Sequence, residues 1–102
     1  MAGHLAGKVA IVIGSGGDAQ RGVAVALAEA GADVAIAGAA ADLSAEAALH
    51  SISNEIWAIG RRSAVVKLGG DDAASFAKAV AGVIQELGRA DLIVRADVVL
   101  SA

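Results

Sequence analysis

Three features of this 102-residue sequence predict an α/β fold built on a parallel sheet. Short β-branched runs alternate with longer segments of helical period. A glycine follows each of those segments, at Gly31, Gly60 and Gly88. The connections between them are short. Alternation of this kind implies right-handed crossovers, with helices on both faces of the sheet.

The first run, "KVAIVI" (8–13), is continuous and apolar, as a strand buried on both faces must be. Residues 19–30 read as a helix with Val23, Leu27 and Ala30 on one side and Gly31 as its stop. "DVAIA" (33–37) is a second buried strand. A helix from about Leu43 to Ile59 follows, capped by Asp42 or Ser44, with Leu49, Ile52, Ile56 and Ile59 on one stripe. "SAVVKL" (63–68) is the third strand. Asp71 or Asp72 then caps a third helix, whose apolar face is Phe76, Val80, Val83, Ile84 and Leu87. "DLIV" (91–94) begins a fourth strand.

The order is therefore β-α-β-α-β-α-β. With the first strand central, the sheet order is 3-2-1-4, a Rossmann-like doubly wound half plus the strand after the switch point. No linker, repeat or low-complexity tract divides residues 1–102, which read as a single domain.

Composition narrows the function. Net charge is −3, and no basic block occurs beyond Arg61-Arg62, which argues against nucleic acid as a partner. Cysteine is absent, so disulfides, thiolate metal sites and a cysteine nucleophile are excluded. The N-terminal "MAGHLAGK" lacks the charged start and apolar core of an export signal, and no apolar run approaches the ~20 residues of a bilayer span. The expectation is a cytoplasmic protein with no membrane association.

Between the first strand and the first helix lies Gly14-Ser15-Gly16-Gly17-Asp18-Ala19, which fits G-x-G-x-x-A. Glycines there let backbone approach a pyrophosphate, whose charge meets free N–H groups at the positive end of the helix dipole. Gly14, Ser15, Gly16 and Gly17 are accordingly the candidate cofactor-binding residues. The alternative is that these glycines only make a tight turn, with Asp18 capping the helix where a phosphate would sit.

"LAGKVAIVIGSGG…RGVAVALAEAGADVAIAG" resembles the start of a short-chain dehydrogenase/reductase, and "ELGRADLIVRADVVLSA" resembles that family's fourth strand and the segment after it. The resemblance covers nearly the whole chain. It implies a doubly wound sheet, NAD or NADP as cofactor, and hydride transfer between that cofactor and an alcohol or carbonyl.

The departures fall at the implied cofactor contacts. Gly14 holds the first position of the family's glycine pattern, but Asp18 and Gln20 stand at the later two. After the second strand, where the family places an acid for ribose or an arginine for a 2′-phosphate, stand Gly38 and Ala39. Gly69-Gly70 replaces the aspartate beside adenine, leaving acids only at Asp71 and Asp72. Arg95-Ala96-Asp97-Val98 replaces Asn-Asn-Ala-Gly. Four altered sites on an intact apolar scaffold imply a lapsed or changed ligand, so that no cofactor at all is an open outcome.

The family's chemistry rests on a serine, a tyrosine and a lysine beyond the fourth strand. The sequence ends at Ala102 and has no tyrosine, so no catalytic residue is assigned. His4 and His50 have no patterned partner, and Arg61-Arg62 serves a helix end. Asp71-Asp72 is a cap and not a metal pair, since no further acid or histidine stands at ligand spacing. Trp57 is expected to pack part of the second helix, an exposed position marking instead a contact surface.

Two functional readings follow. In the first, the chain is truncated or degenerate, not catalytic by itself, and a structural or regulatory partner of a complete oxidoreductase subunit that covers the open, apolar fourth strand. In the second, it is the cofactor half of an active NAD(P)-dependent oxidoreductase. A module binding another phosphate-bearing ligand is a third, weaker option.

Overall fold

The computed structural model describes residues 3–96. The readings placed on Asp97, Val98 and the residues after them lie outside that range. The elements run β1 (Val9–Ile13), α1 (Asp18–Glu29), β2 (Asp33–Gly38), α2 (Leu43–Ile59), β3 (Ser63–Lys67), α3 (Ala73–Leu87) and β4 (Leu92–Arg95). The sheet order is β3-β2-β1-β4, and every pairing is parallel. The doubly wound architecture is as expected.

Strand alternation divides the core in two. Val12, Val34 and Ile36 point to one face and pack with Leu49, Ile52 and Ile56 of α2 and Ala24 and Ala28 of α1. Val9, Ile11, Ile13, Ala35 and Ala37 form the other face, against Val83 and Leu87 of α3. Strands β1 and β2 are buried on both sides because helices cover both. Burying a side chain such as Ile36 completely is worth ~1.5–3 kcal/mol. Among the described residues no helix is long and apolar enough to cross a membrane.

Several expected stripes shift. The buried face of α1 is Gln20, Ala24 and Ala28, and Val23 and Leu27 are its partly buried flanks. The contact line carries small side chains because α1 packs on both the sheet and α2. Leu49, Ile52 and Ile56 are buried as predicted, but Ile59, the last residue of α2, is exposed. On α3, Val83 and Leu87 are buried, Phe76 and Val80 are half-buried, and Ile84 is exposed. Trp57 is exposed too, because position 57 lies off the Leu49–Ile52–Ile56 line.

The two capping alternatives resolve to aspartates. Asp42 accepts a hydrogen bond from Ala45 N at 2.8 Å and Asp72 from Ser75 N at 2.8 Å. The Ser75 N–H and hydroxyl hold the Asp72 carboxyl below its ordinary pKa of 3.8. Gly60 and Gly88 close α2 and α3 in left-handed conformation, as Gly at that position does without a Cβ penalty. The paired arginines serve helices other than the one they follow. Arg61 Nε donates to Ala28 O near the end of α1 (3.3 Å), and Arg62 Nη2 donates to Leu87 O at the end of α3 (3.1 Å). Arg62 also pairs with Asp33 at the start of β2, Nη2 to Oδ2 at 3.0 Å.

Candidate functional site: the crevice at the strand C-termini

Beyond the C-terminal ends of the strands lies a cavity of about 560 Å³. It is lined by Ile13 at the end of β1 with Gly14 and Ser15 after it, by Gly38 at the end of β2 with Ala39 to Ala41 after it, by Leu68 to Asp71 after β3, and by Arg95 at the end of β4. Ala45 and Leu49 of α2 complete the wall. An open α/β sheet places ligands in this crevice, where β1 and β4 diverge in connection. Its volume is ordinary for a small-molecule site.

The glycine loop enters the crevice in a closed form. Of the four candidate residues, Gly14 and Ser15 line the cavity, whereas Gly16 and Gly17 do not. Gly17 is the N-cap of α1 and offers no side-chain bond, so Asp18 is not the cap expected of it. Asp18 is instead the first helical residue, where its charge favours the positive dipole end without closing an N–H group. The cap position falls one residue earlier than predicted because the helix itself starts at Asp18.

Closure comes from Gln20, a residue sequence reasoning treated only as a missing glycine. The residue is 1% exposed. Gln20 Oε1 accepts from Gly16 N at 2.7 Å, and Nε2 donates to Val12 O and Ala37 O, both at 2.9 Å. One carboxamide therefore fastens the loop, β1 and β2 together. Gly14 is needed for this: a Cβ there would lie 2.8 Å from both Cβ and Cδ of Gln20. The loop also crosses β2 closely, since a Cβ on Gly38 would lie 2.5 Å from Gly14 O.

The far wall is uncharged after β2, where Ala39, Ala40 and Ala41 follow Gly38. Ala40 has φ 44°, the one non-glycine residue with positive φ among the described residues. Among the described residues, Asp71 and Arg95 are the charged ones that line the cavity, and they pair at 3.3 Å. The remaining candidates stand apart from the crevice. His50 lies within 3.8 Å of Glu46 on the exposed side of α2. Among the described residues, no group of three or more histidine and acidic side chains could hold a metal ion.

No protein-family model matches the chain, and no curated protein sequence matches it. Solved structures do. A blue fluorescent protein from a metagenomic library, in complex with NADPH, superposes with a TM-score of 0.76 at 30% identity, over 87% of this chain and 35% of that one. This chain resembles the N-terminal half of a short-chain dehydrogenase/reductase. A short-chain dehydrogenase/reductase from Serratia marcescens BCRC 10948 gives a TM-score of 0.71 at 30% identity, over 89% of this chain and 36% of that one. Carveol dehydrogenase from Mycobacterium avium, in complex with NAD, gives 0.74 at 28% identity, over 90% and 36%. The chain thus spans about a third of the length of these proteins. The family resemblance read from "GKVAIVIGSGG" and its surroundings holds at the level of fold.

Proposed function

We propose that this chain is a short-chain dehydrogenase/reductase-type Rossmann half whose pyrophosphate loop is closed by its own side chain. On this reading it is not catalytic by itself and acts as a structural or regulatory partner of a complete oxidoreductase subunit. The observation that carries the proposal is the Gln20 carboxamide, which takes the Gly16 N–H and leaves no room beside Gly14. Asp18 adds a negative charge to the first helical turn, and Gly38-Ala39 supplies neither carboxylate nor guanidinium for a ribose or its phosphate. These residues do not fit a dinucleotide held as the resemblance implies, so no hydride-transfer step is assigned to them. A cytoplasmic location, a single domain over residues 1–102 and a protein partner along β4 belong to the same proposal.

Calorimetric titration with NADH and NADPH tests it. The expected result is binding no tighter than millimolar for either. A micromolar dissociation constant would overturn the proposal in favour of a working cofactor half.

A further inference from the structure

The outward stripe of α2 is built unlike a face left to water. At about 100° per residue, Leu43, Ala47, His50, Asn54 and Trp57 fall within about 80° of the helix circumference, turned away from buried Leu49, Ile52 and Ile56. All five are exposed, Leu43 at 85% and Trp57 at 55%. A solvated helix face ordinarily carries charged side chains. The acids of α2, Glu46 and Glu55, instead flank this stripe, and each is neutralised from a neighbouring element. Lys67 of β3 lies 3.1 Å from Glu46, and Arg21 of α1 lies 2.8 Å from Glu55.

We infer that this stripe is a contact face between two copies of the chain, packed α2 against α2 in antiparallel, two-fold fashion. The contact lies outside the crevice and is independent of the glycine loop.

The spacing selects the occupant. Leu43 and Trp57 stand seven residues before and after His50, about 10 Å along the helix in each direction. A two-fold axis at His50 sets Leu43 of each copy on Trp57 of the other, so both ends of the contact are filled alike. A parallel arrangement would set leucine on leucine at one end and tryptophan on tryptophan at the other, splaying the helices. Ala47 is small enough for the two backbones to approach closely between the ends. The flanking charges match as well. Glu46, four residues before His50, comes level with Asn54 of the other copy, and Glu55, five residues after it, with Ala45. No acid meets an acid. A contact made by one helix belongs to the small, transient class, so it is expected at hundreds of micromolar chain.

The sequence supplies the reporters. Trp57 is the one tryptophan, and with cysteine absent an introduced thiol is unique. As the purified chain is raised from micromolar to near-millimolar concentration, Trp57 emission is expected to shift to the blue. Leu43→Glu should weaken that association at least tenfold, and it should fold, since Leu43 is exposed and an acid suits a first helical turn. Ile93→Lys should keep the shift. His50→Cys, on the axis, should form a disulfide-linked dimer under mild oxidation, and adding Leu43→Glu should suppress it. Emission that does not change with concentration overturns the inference, and the face then serves another partner or water. So does a shift that survives Leu43→Glu but not Ile93→Lys, which assigns the association to β4. A His50→Cys chain that does not cross-link, or one that cross-links equally with Leu43→Glu, overturns the two-fold arrangement.

Discussion

Gln20 Oε1 accepts the Gly16 N–H at 2.7 Å, which makes the glycine loop of this chain self-liganded. The relationship is nonlocal in effect. The same carboxamide donates to Val12 O and Ala37 O, so the β1–α1 turn, the end of β1 and the end of β2 share one fastening. A glycine at position 20 would leave all three to water or to a ligand.

Removing that fastening should be costly. Gln20→Ala loses two buried hydrogen bonds and one part-buried one, each worth ~1 kcal/mol net, and leaves a gap beneath the loop. A loss of about 2–4 kcal/mol is expected, or roughly 10–20 °C in Tm for a domain of this size. Gln20→Glu should be worse at neutral pH, because it sets a carboxylate against two carbonyl oxygens. Chemical denaturation of the two variants beside the parent checks both the size and the order. A variant within about 0.5 kcal/mol of the parent would show the carboxamide to be dispensable.

Gly14 and Gln20 should be energetically coupled. Gly14→Ala pushes a Cβ to 2.8 Å from Gln20 Cβ and Cδ, so it should destabilise the parent. In a Gln20→Gly background those atoms are gone, and the same substitution should cost less. A double-mutant cycle is expected to give a coupling energy of ~0.5–3 kcal/mol. Additive behaviour would mean that the two residues do not compete for space.

How far this site was legible in the sequence follows from the same residues. Strand order and helix faces could be read because "KVAIVI" and "DVAIA" are locally apolar and each helix has a glycine stop. Gln20 could not, because a glutamine in a first helical turn ordinarily faces solvent. Its partners Val12 O and Ala37 O come together only once β2 lies beside β1. The burial of Ala24 and Ala28 in place of Val23 and Leu27 was hidden for a related reason. Close helix packing selects small residues that carry little periodic signal. Asp71 and Arg95 are 24 positions apart, and only the β3-α3-β4 crossover makes them neighbours.

Acid should weaken the β1–β4 junction. Asp91 accepts from Arg89 Nη2 at 2.7 Å and from Val9 N at 2.8 Å, and these bonds hold its carboxyl below its ordinary pKa of 3.8. A carboxyl depressed in the folded state stabilises fully above the unfolded value and loses that contribution as pH falls through the folded one. Asp72, depressed by its Ser75 bonds, has the same sign. Urea unfolding should therefore show little change between pH 7 and 5 from these groups and a decline below about 4. Asp91→Asn should make that decline shallower. An identical acid slope in parent and variant would remove Asp91 from the account.

Strand β4, at one edge of the sheet among the described residues, should drive association. Ile93 on β4 is 57% exposed and stands in register with buried Ile11, so an apolar side chain continues the sheet face past the cover of α3. Exposed strand edges of this kind pair with other chains unless charge prevents it. The purified chain is expected to self-associate at tens of micromolar in sedimentation velocity, and Ile93→Lys to shift it toward monomer. A monomeric parent would remove the need for a partner along β4.

Whether the loop can be reopened is the sharpest test of its closure. Asp18→Gly removes a first-turn charge, which costs ~0.3–1 kcal/mol of dipole interaction and also introduces a helical glycine worth up to ~1 kcal/mol. Against a phosphate ~4 Å away, the same charge opposes binding by at most about 4 kcal/mol at an effective dielectric near 20, and by far less in water. Asp18→Gly alone should therefore improve anion binding little, because the Gly16 N–H stays on Gln20. Adding Gln20→Gly frees that N–H and restores glycine at both altered positions of the family pattern. The double variant should be less stable than the parent, yet gain a thermal shift with pyrophosphate or NAD that neither single variant shows in full. If it loses stability and gains no such shift, the Gly14–Gly17 backbone is a turn and nothing more, and closure by Gln20 is not what keeps a dinucleotide out.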